Sequence, residues 1–210
     1  MKTKTYFLLV IFCLGAAGCI SGSPPATYYH LSPAETLSSS AQPEKADAAL
    51  SLGVGPVSFP EVLNRPQVVT RSSLNRYRID DFQRWGGSLK EEFCRTLSQN
   101  LAVLLKTERI AVFPWEKHFQ PSHRMVIEVL RFDGRLGESA RLEARWTITD
   151  GTGRQVLRVG MSAIEAPLDA DSYEALVKGL NQVLEQFSAQ IAKEVQHLEQ
   201  LRPLVEGSSS

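Results

Sequence analysis

Residues 142–164 read LEARWTITDGTGRQVLRVGMSAI, and this stretch decides the fold class. Leu142, Ala144, Trp146 and Ile148 alternate with Arg141, Glu143, Arg145 and Thr147, the period-two pattern of a strand with one buried face. Asp150-Gly151-Thr152-Gly153 then turns the chain into a second strand over 155–164. Both glycines are expected to supply the positive φ that tight hairpins need.

Downstream, Asp171-Ser172-Tyr173-Glu174 opens a long helical pattern. Tyr173, Leu176, Val177, Leu180, Val183, Leu184, Phe187, Ile191, Val195 and Leu198 keep the 3.6-residue period until Pro203 ends it. Upstream, Met125, Ile127 and Val129 alternate with Val126, Glu128 and Leu130, a strand apolar enough on both sides to be central. Ile110 to Phe113 is a short apolar strand. Ser88 and Glu91 form a capping box ahead of a second amphipathic stripe, Leu89, Phe93, Leu97, Leu101 and Leu104. Further strands are expected at Thr27 to Leu31, Ser51 to Phe59 and Gln67 to Thr70, the last pairing with Asn75 to Ile79. The sum is an α/β two-layer domain, a mixed β-sheet packed with two long α-helices, with a strand–helix–strand crossover through residues 52–113.

The N-terminus has the three zones of a signal peptide. Lys2 and Lys4 are the positive region, Tyr6 to Leu14 is an apolar run too short to span a bilayer, and Gly15-Ala16-Ala17-Gly18 leads to Cys19. A cysteine directly after small residues is the lipobox arrangement, with Ala16 where leucine is usual. Cleavage before Cys19 leaves covalent diacylglycerol and an N-acyl chain on it, enough to hold a protein at a membrane. Ile20 rather than Asp at the next position directs such a chain to the outer membrane, facing the periplasm. The domains are then residues 1–18 signal peptide, 19–26 lipidated tether, 27–203 folded domain with a Ser/Ala/Pro-rich flexible loop at 32–49, and 204–210 disordered tail.

Residues 1–18 carry two lysines and no acid, so 23 basic against 23 acidic residues becomes 21 against 23. That balance excludes nucleic acid as the main partner, because phosphate binding needs concentrated positive charge. With Cys13 removed and Cys19 acylated, Cys94 is left alone on the border of an apolar stripe and is expected to be buried.

Catalytic patterns are missing. His30, His118, His123 and His197 lie in different elements with no i, i+4 pair, so no metal site is expected. Asp150-Gly151-Thr152-Gly153 fits a turn better than a catalytic Asp-Thr-Gly, and Asp80-Asp81 and Glu91-Glu92 are adjacent pairs that do not converge. The candidates for partner contact are Tyr28, Tyr29, Arg65, Arg84 and Trp85, all at ends of elements. Packing is the competing reading for each. Trp85 can staple onto the first turns of the following helix, and Arg84 can pair with Asp80 or Asp81.

Several segments, in order, resemble the ABC-transport auxiliary lipoproteins of the PqiC/YmbA type. They are Tyr28-Tyr29-His30-Leu31, the run from Val54-Gly55-Pro56 through Leu63-Asn64-Arg65-Pro66-Gln67-Val68-Val69, Arg84-Trp85, Asn100-Leu101, Pro114-Trp115, Arg131-Phe132-Asp133 and Leu142-Glu143-Ala144-Arg145-Trp146. The C-terminal Ser188-Ala189-Gln190-Ile191-Ala192 completes the series. Phe59 and Val62 stand where Leu and Tyr are common, and Gly86-Gly87-Ser88 replaces Ala-x-Pro. The resemblance implies a non-catalytic lipoprotein that docks the MCE-domain tunnel of a lipid transport system at the outer membrane, as a monomer or homo-oligomer. It implies no cofactor beyond the acyl groups. Two other readings compete: a periplasmic lipid carrier with an apolar cavity between sheet and helices, and an envelope hydrolase, for which no nucleophile or acid pair is legible.

Overall fold

In the computed structural model, which describes residues 24–34 and 50–206, the alternating stretch becomes the hairpin of β7 (Ser139–Asp150) and β8 (Val156–Pro167). Strand β6 (His123–Arg135) pairs antiparallel with β7. On its other side β6 runs parallel to β2 (Leu52–Ser58), which in turn runs parallel to β5 (Ile110–Val112). The sheet order β5-β2-β6-β7-β8 puts β6 in the middle, as its apolar run implies. The crossover from β2 to β5 passes through α1 (Leu89–Leu104).

The strands divide between two sheets rather than forming one. A three-stranded sheet, ordered β1-β4-β3, is built from β1 (Thr27–Tyr29), β3 (Gln67–Ser73) and β4 (Arg76–Trp85). The hairpin partner of β3 is thus longer than the five residues expected, running on through Asp80-Asp81 to Trp85. Its register with β3 shifts between the Gln67↔Arg84 and Val69↔Ile79 pairs, where β4 carries extra residues that locally disrupt the ladder. A single 3-10 turn, Glu61–Leu63, links β2 to β3.

Both helices pack on one face of the larger sheet, α1 against β2 and β5, and α2 (Tyr173–Glu206) against β7 and β8. Phe93, Leu97 and Leu101 from α1 meet Leu176, Leu184 and Phe187 from α2 in one core that also holds Leu142, Ala144, Trp146 and Ile148. The serine half of the expected capping box is present, with Ser88 Oγ accepting from Glu91 N at 3.4 Å. Helix α2 continues three residues beyond Pro203, where the sequence reading ends it. A proline lacks one amide donor, which costs a single ladder bond near a helix end rather than stopping the chain's helical path.

Residues 32–34 are not free spacer. Leu31 is wholly buried and Ala34 nearly so. Leu31 N donates to Glu92 Oε2 at 2.7 Å, Ser32 N to Asn181 Oδ1 at 3.1 Å and Ala34 N to Asn100 Oδ1 at 3.2 Å. Buried Asn100 also donates to Ser188 Oγ at 3.2 Å, so one amide ties this segment to both helices. The remainder of the expected loop, 35–49, lies outside the described residues, as do Cys19, the first part of the tether and 207–210.

Cys94 is buried, and burial pushes its thiol from 9.0 up to about 11, against a smaller opposing pull from Lys90. At a given pH the thiolate, which is the reactive species, is then about 100-fold scarcer than for an ordinary thiol. Cys94 in the folded protein is expected to resist a maleimide or disulfide reagent at pH 8 and to react fully once urea unfolds the chain. Equal labelling rates in the two states would contradict this placement.

Candidate partner-binding surface

Parallel pairing of β1 with β4 gathers four of the five candidate residues. Its register sets Tyr28 beside Arg84 and Tyr29 beside Trp85, so the two pairs occupy opposite faces of the small sheet. On the inner face, Trp85 is only 4% exposed and belongs to the core. It presents no surface to a partner, and its backbone N donates to Pro66 O at 2.7 Å. Tyr29 is half-buried, donates from its hydroxyl to Gln83 Oε1 at 2.7 Å, and lies 6.4 Å from the Tyr173 ring. Burial, then the Glu174 carboxylate, raises its phenol above the ordinary value. For Tyr29 and Trp85 packing is the dominant role.

The outer face is different. Tyr28 is 64% exposed, and Arg84 stands between it and Gln67 on one rung. Arg84 Nε is withdrawn from solvent with no hydrogen-bond partner among the described residues. Asp81 accepts from Gln67 Nε2 at 3.1 Å, and Asp80 from Phe82 N at 2.9 Å, so the carboxylates expected to pair with Arg84 are engaged elsewhere. Arg65 is exposed and donates from Nε to Val62 O at 2.9 Å, which stiffens the segment before β3. That segment and the start of α1 bound an open groove of about 610 Å³ lined by Phe59, Leu63, Arg65, Pro66 and Lys90. A second groove of about 850 Å³ lies beside the loop from β5 to β6, where the Arg124 guanidinium stands 5.6 Å from the Trp115 ring.

The helix-free face of the larger sheet is a feature the sequence reading did not single out. Val126, Thr147 and Val159 form one cross-strand rung, and Glu128, Arg145 and Met161 form the next. Val159 and Met161 are 66% and 57% exposed. They lie on β8, a twelve-residue strand at the edge of its sheet. Long apolar edges are places where another chain adds or docks. The signal was available in the alternation of Val159, Met161 and Ala163, but nothing local says which face the helices cover.

The turn residues build no chemistry. Asp150 Oδ1 accepts from Arg154 N and Gln155 N at 2.9 and 3.0 Å, and Oδ2 accepts from Thr152 Oγ1 at 2.6 Å. The Thr152 hydroxyl and the Gln155 amide hold the Asp150 carboxyl down at about 2. Gly153 has φ +77°, as expected. Gly151 does not lie in that region and is required for space instead, since a Cβ there would stand 2.1 Å from Pro121 O.

Ser122, His123 and Glu199 come together unexpectedly, but not as a nucleophile relay. Ser122 Oγ and Glu199 Oε1 both lie 3.2 Å from the same ring nitrogen, His123 Nδ1. A relay needs the hydroxyl and the carboxylate on opposite nitrogens. Ser122 Oγ moreover donates to Ser51 O at 2.8 Å. His118 is exposed beside Glu116 while His123 is buried beside Glu199, so the nearest histidine pair in sequence has different partners. Among the described residues, no group of three or more His, Cys, Asp or Glu side chains could hold a metal ion.

Comparison with known proteins gives the surface a context. The profile of the family described as the ABC-type transport auxiliary lipoprotein component matches residues 29–192. The chain is 27% identical over 192 residues to the intermembrane transport lipoprotein PqiC of Escherichia coli K12, covering 91% of this chain and 98% of that protein. It superposes on the crystal structure of an uncharacterized protein with TM-score 0.67 and 24% identity, covering 82% of this chain and 99% of the other. Protein XCC0632 of Xanthomonas campestris shares the fold with TM-score 0.65 at 15% identity, covering 85% and 99%. The profile match spans well over half of the chain, and it takes in both sheets, α1 and most of α2. The chain is a member of the ABC-type transport auxiliary lipoprotein family.

Proposed function

We propose that this transport lipoprotein is the non-catalytic docking component of an MCE-type lipid transport system, held at the outer membrane by acyl chains on Cys19 and facing the periplasm. In this role it joins a periplasmic MCE-domain tunnel to the membrane, so that lipid passing between inner and outer membranes has a fixed terminus, which supports envelope integrity. The acyl groups are its only covalent additions. Among the described residues no helix is long and apolar enough to cross a membrane, so attachment through Cys19 fits the rest of the chain.

The observation that carries the reading is the helix-free side of the larger sheet, where Val159 and Met161 are exposed, among the described residues, on a long edge strand. Exposed apolar side chains grouped in this way favour a docking surface. The layer between sheet and helices is filled by core side chains such as Phe93, Phe132 and Phe187, which occupies the place where a lipid carrier would keep its chamber.

The test is a pull-down from detergent-solubilised envelopes with tagged wild type beside Cys19→Ala. Wild type is expected to bring down an MCE-domain protein, and Cys19→Ala to lose it because the domain no longer reaches the membrane-proximal end of the tunnel. Failure of both forms to recover any transport component would leave the docking role without support.

A further inference from the structure

The β3–β4 hairpin ends in a tip whose composition differs from the rest of the surface. Leu74, in the turn, is 76% exposed, and Arg76, Tyr77 and Arg78 beside it are exposed as well. From Gln67 to Ile79 the hairpin has three arginines and no acidic residue. Arg71 is not part of the free surface. Its Nε donates to Asp133 Oδ2 at 2.8 Å, its other nitrogens to Leu74 O and Tyr77 Oη, and its guanidinium stands 4.5 Å from the Tyr77 ring. The base of the tip is therefore braced, and an aliphatic side chain, one aromatic ring and two cations are left outward on a stiff support.

We infer that this tip seats on the phospholipid surface of the membrane that holds Cys19, as a second and orienting point of contact. The inference rests on acylation of Cys19, as read from the sequence. Leucine partitions into the acyl boundary, a tyrosine ring belongs at the headgroup level, and arginines reach lipid phosphates while their stems stay in apolar surroundings.

Strand direction and chain length place the tip where such contact is feasible. β1 runs parallel to β4 with Thr27 opposite Gln83, so the chain enters β1 from the end at which the hairpin tip lies. From Cys19 to Thr27 the chain reaches at most about 26–29 Å. From Arg76 to Gln83, β4 advances about 23 Å at most. A membrane entered by the acyl chains of Cys19 can therefore lie level with Leu74 while Tyr28 and the grooves remain above it.

The acylated protein is reconstituted into vesicles of phosphatidylethanolamine and phosphatidylglycerol, with a nitroxide on Leu74→Cys or, separately, on Val159→Cys. Cys94 is buried and stays unlabelled. Collision with oxygen and with a water-soluble nickel chelate then reports depth. The label at 74 is expected to favour oxygen several-fold over the label at 159, and adding Arg76→Glu and Arg78→Glu is expected to return it to aqueous values. A label at 74 as open to nickel as that at 159, on protein that floats with the vesicles, overturns the inference and turns the tip toward a protein partner. Protein that does not float at all overturns the acylation reading and this inference together.

Discussion

Asp133→Ala is expected to lower the unfolding free energy by about 3–5 kcal/mol, the range for removing one partner of a buried ion pair. The Asp133 side chain is 2% exposed, and its two oxygens accept from Arg71 Nε at 2.8 Å and Arg131 Nε at 2.7 Å. Arg71 belongs to the small sheet and Arg131 to the large one, so a single carboxylate is shared by two cations at the seam between sheets. Without it, two guanidinium groups that have lost most of their water lose the anion they share, and desolvation dominates the cost. Asp133→Asn keeps the volume but not the charge, and it is expected to fall in the same range. If packing rather than charge mattered, Asn would be nearly neutral. Against a domain stability of about 5–15 kcal/mol, either change is a large fraction of the whole. Urea unfolding should show a lowered midpoint with an unchanged slope. A loss below about 1 kcal/mol for Asp133→Ala would mean that the arginines find water or other acceptors. The consequence for function is directional, since a loosened seam frees the β3–β4 hairpin from the sheet that carries Val159 and Met161.

That seam was invisible in the sequence, and the reason is physical. Arg71 and Asp133 are 62 residues apart, and a pairing of that kind depends on where two sheets meet, not on local period. The same holds for Ser32 and Ala34. Their stretch is poor in apolar residues and reads as spacer, yet Asn181 and Asn100 hold its backbone from the two helices. Strand β4 was recognised only in its first half because Asp80-Asp81 and Arg84 break the alternation. It survives in a thin sheet where polar side chains on both faces reach water. By contrast α1, the core stripe of α2 and the β7–β8 hairpin were legible, since helical period, strand alternation and turn chemistry are local signals. Cys94 could be placed because it borders a legible stripe. Of the five candidate contact residues, the sequence offered their position at element ends. Only the parallel register of β1 with β4 separates exposed Tyr28 and half-buried Arg84 from core Trp85.

Phe93→Ala is expected to lower the unfolding free energy by about 3–5 kcal/mol, the range for truncating a fully buried phenylalanine. Its ring lies edge-on to Phe59 at 5.2 Å and to Phe132 at 5.3 Å, and all three belong to or pack on the main core. Edge-to-face contacts of this kind add about 0.5–1.5 kcal/mol beyond the area buried. Phe93→Leu, which refills much of the volume without a ring, should therefore recover most but not all of the loss. A double-mutant cycle between Phe93 and Phe132 should leave a coupling of that size, because the two rings touch and their deletions cannot add. A zero coupling would reduce the cluster to ordinary hydrophobic filling. The position also joins stability to function. Phe59 lines the groove that holds Arg65, and Phe93 is the α1 residue against which Phe59 packs. Removing the ring at 93 takes away the floor under the segment from Phe59 to Pro66. The variant should thus lose groove geometry at temperatures where the hairpin and α2 are still folded. Amide exchange would show this as early loss of protection at Leu63 and Asn64, whose backbone donors close on Pro60 O and Glu61 O, while core amides of β6 and β7 remain protected.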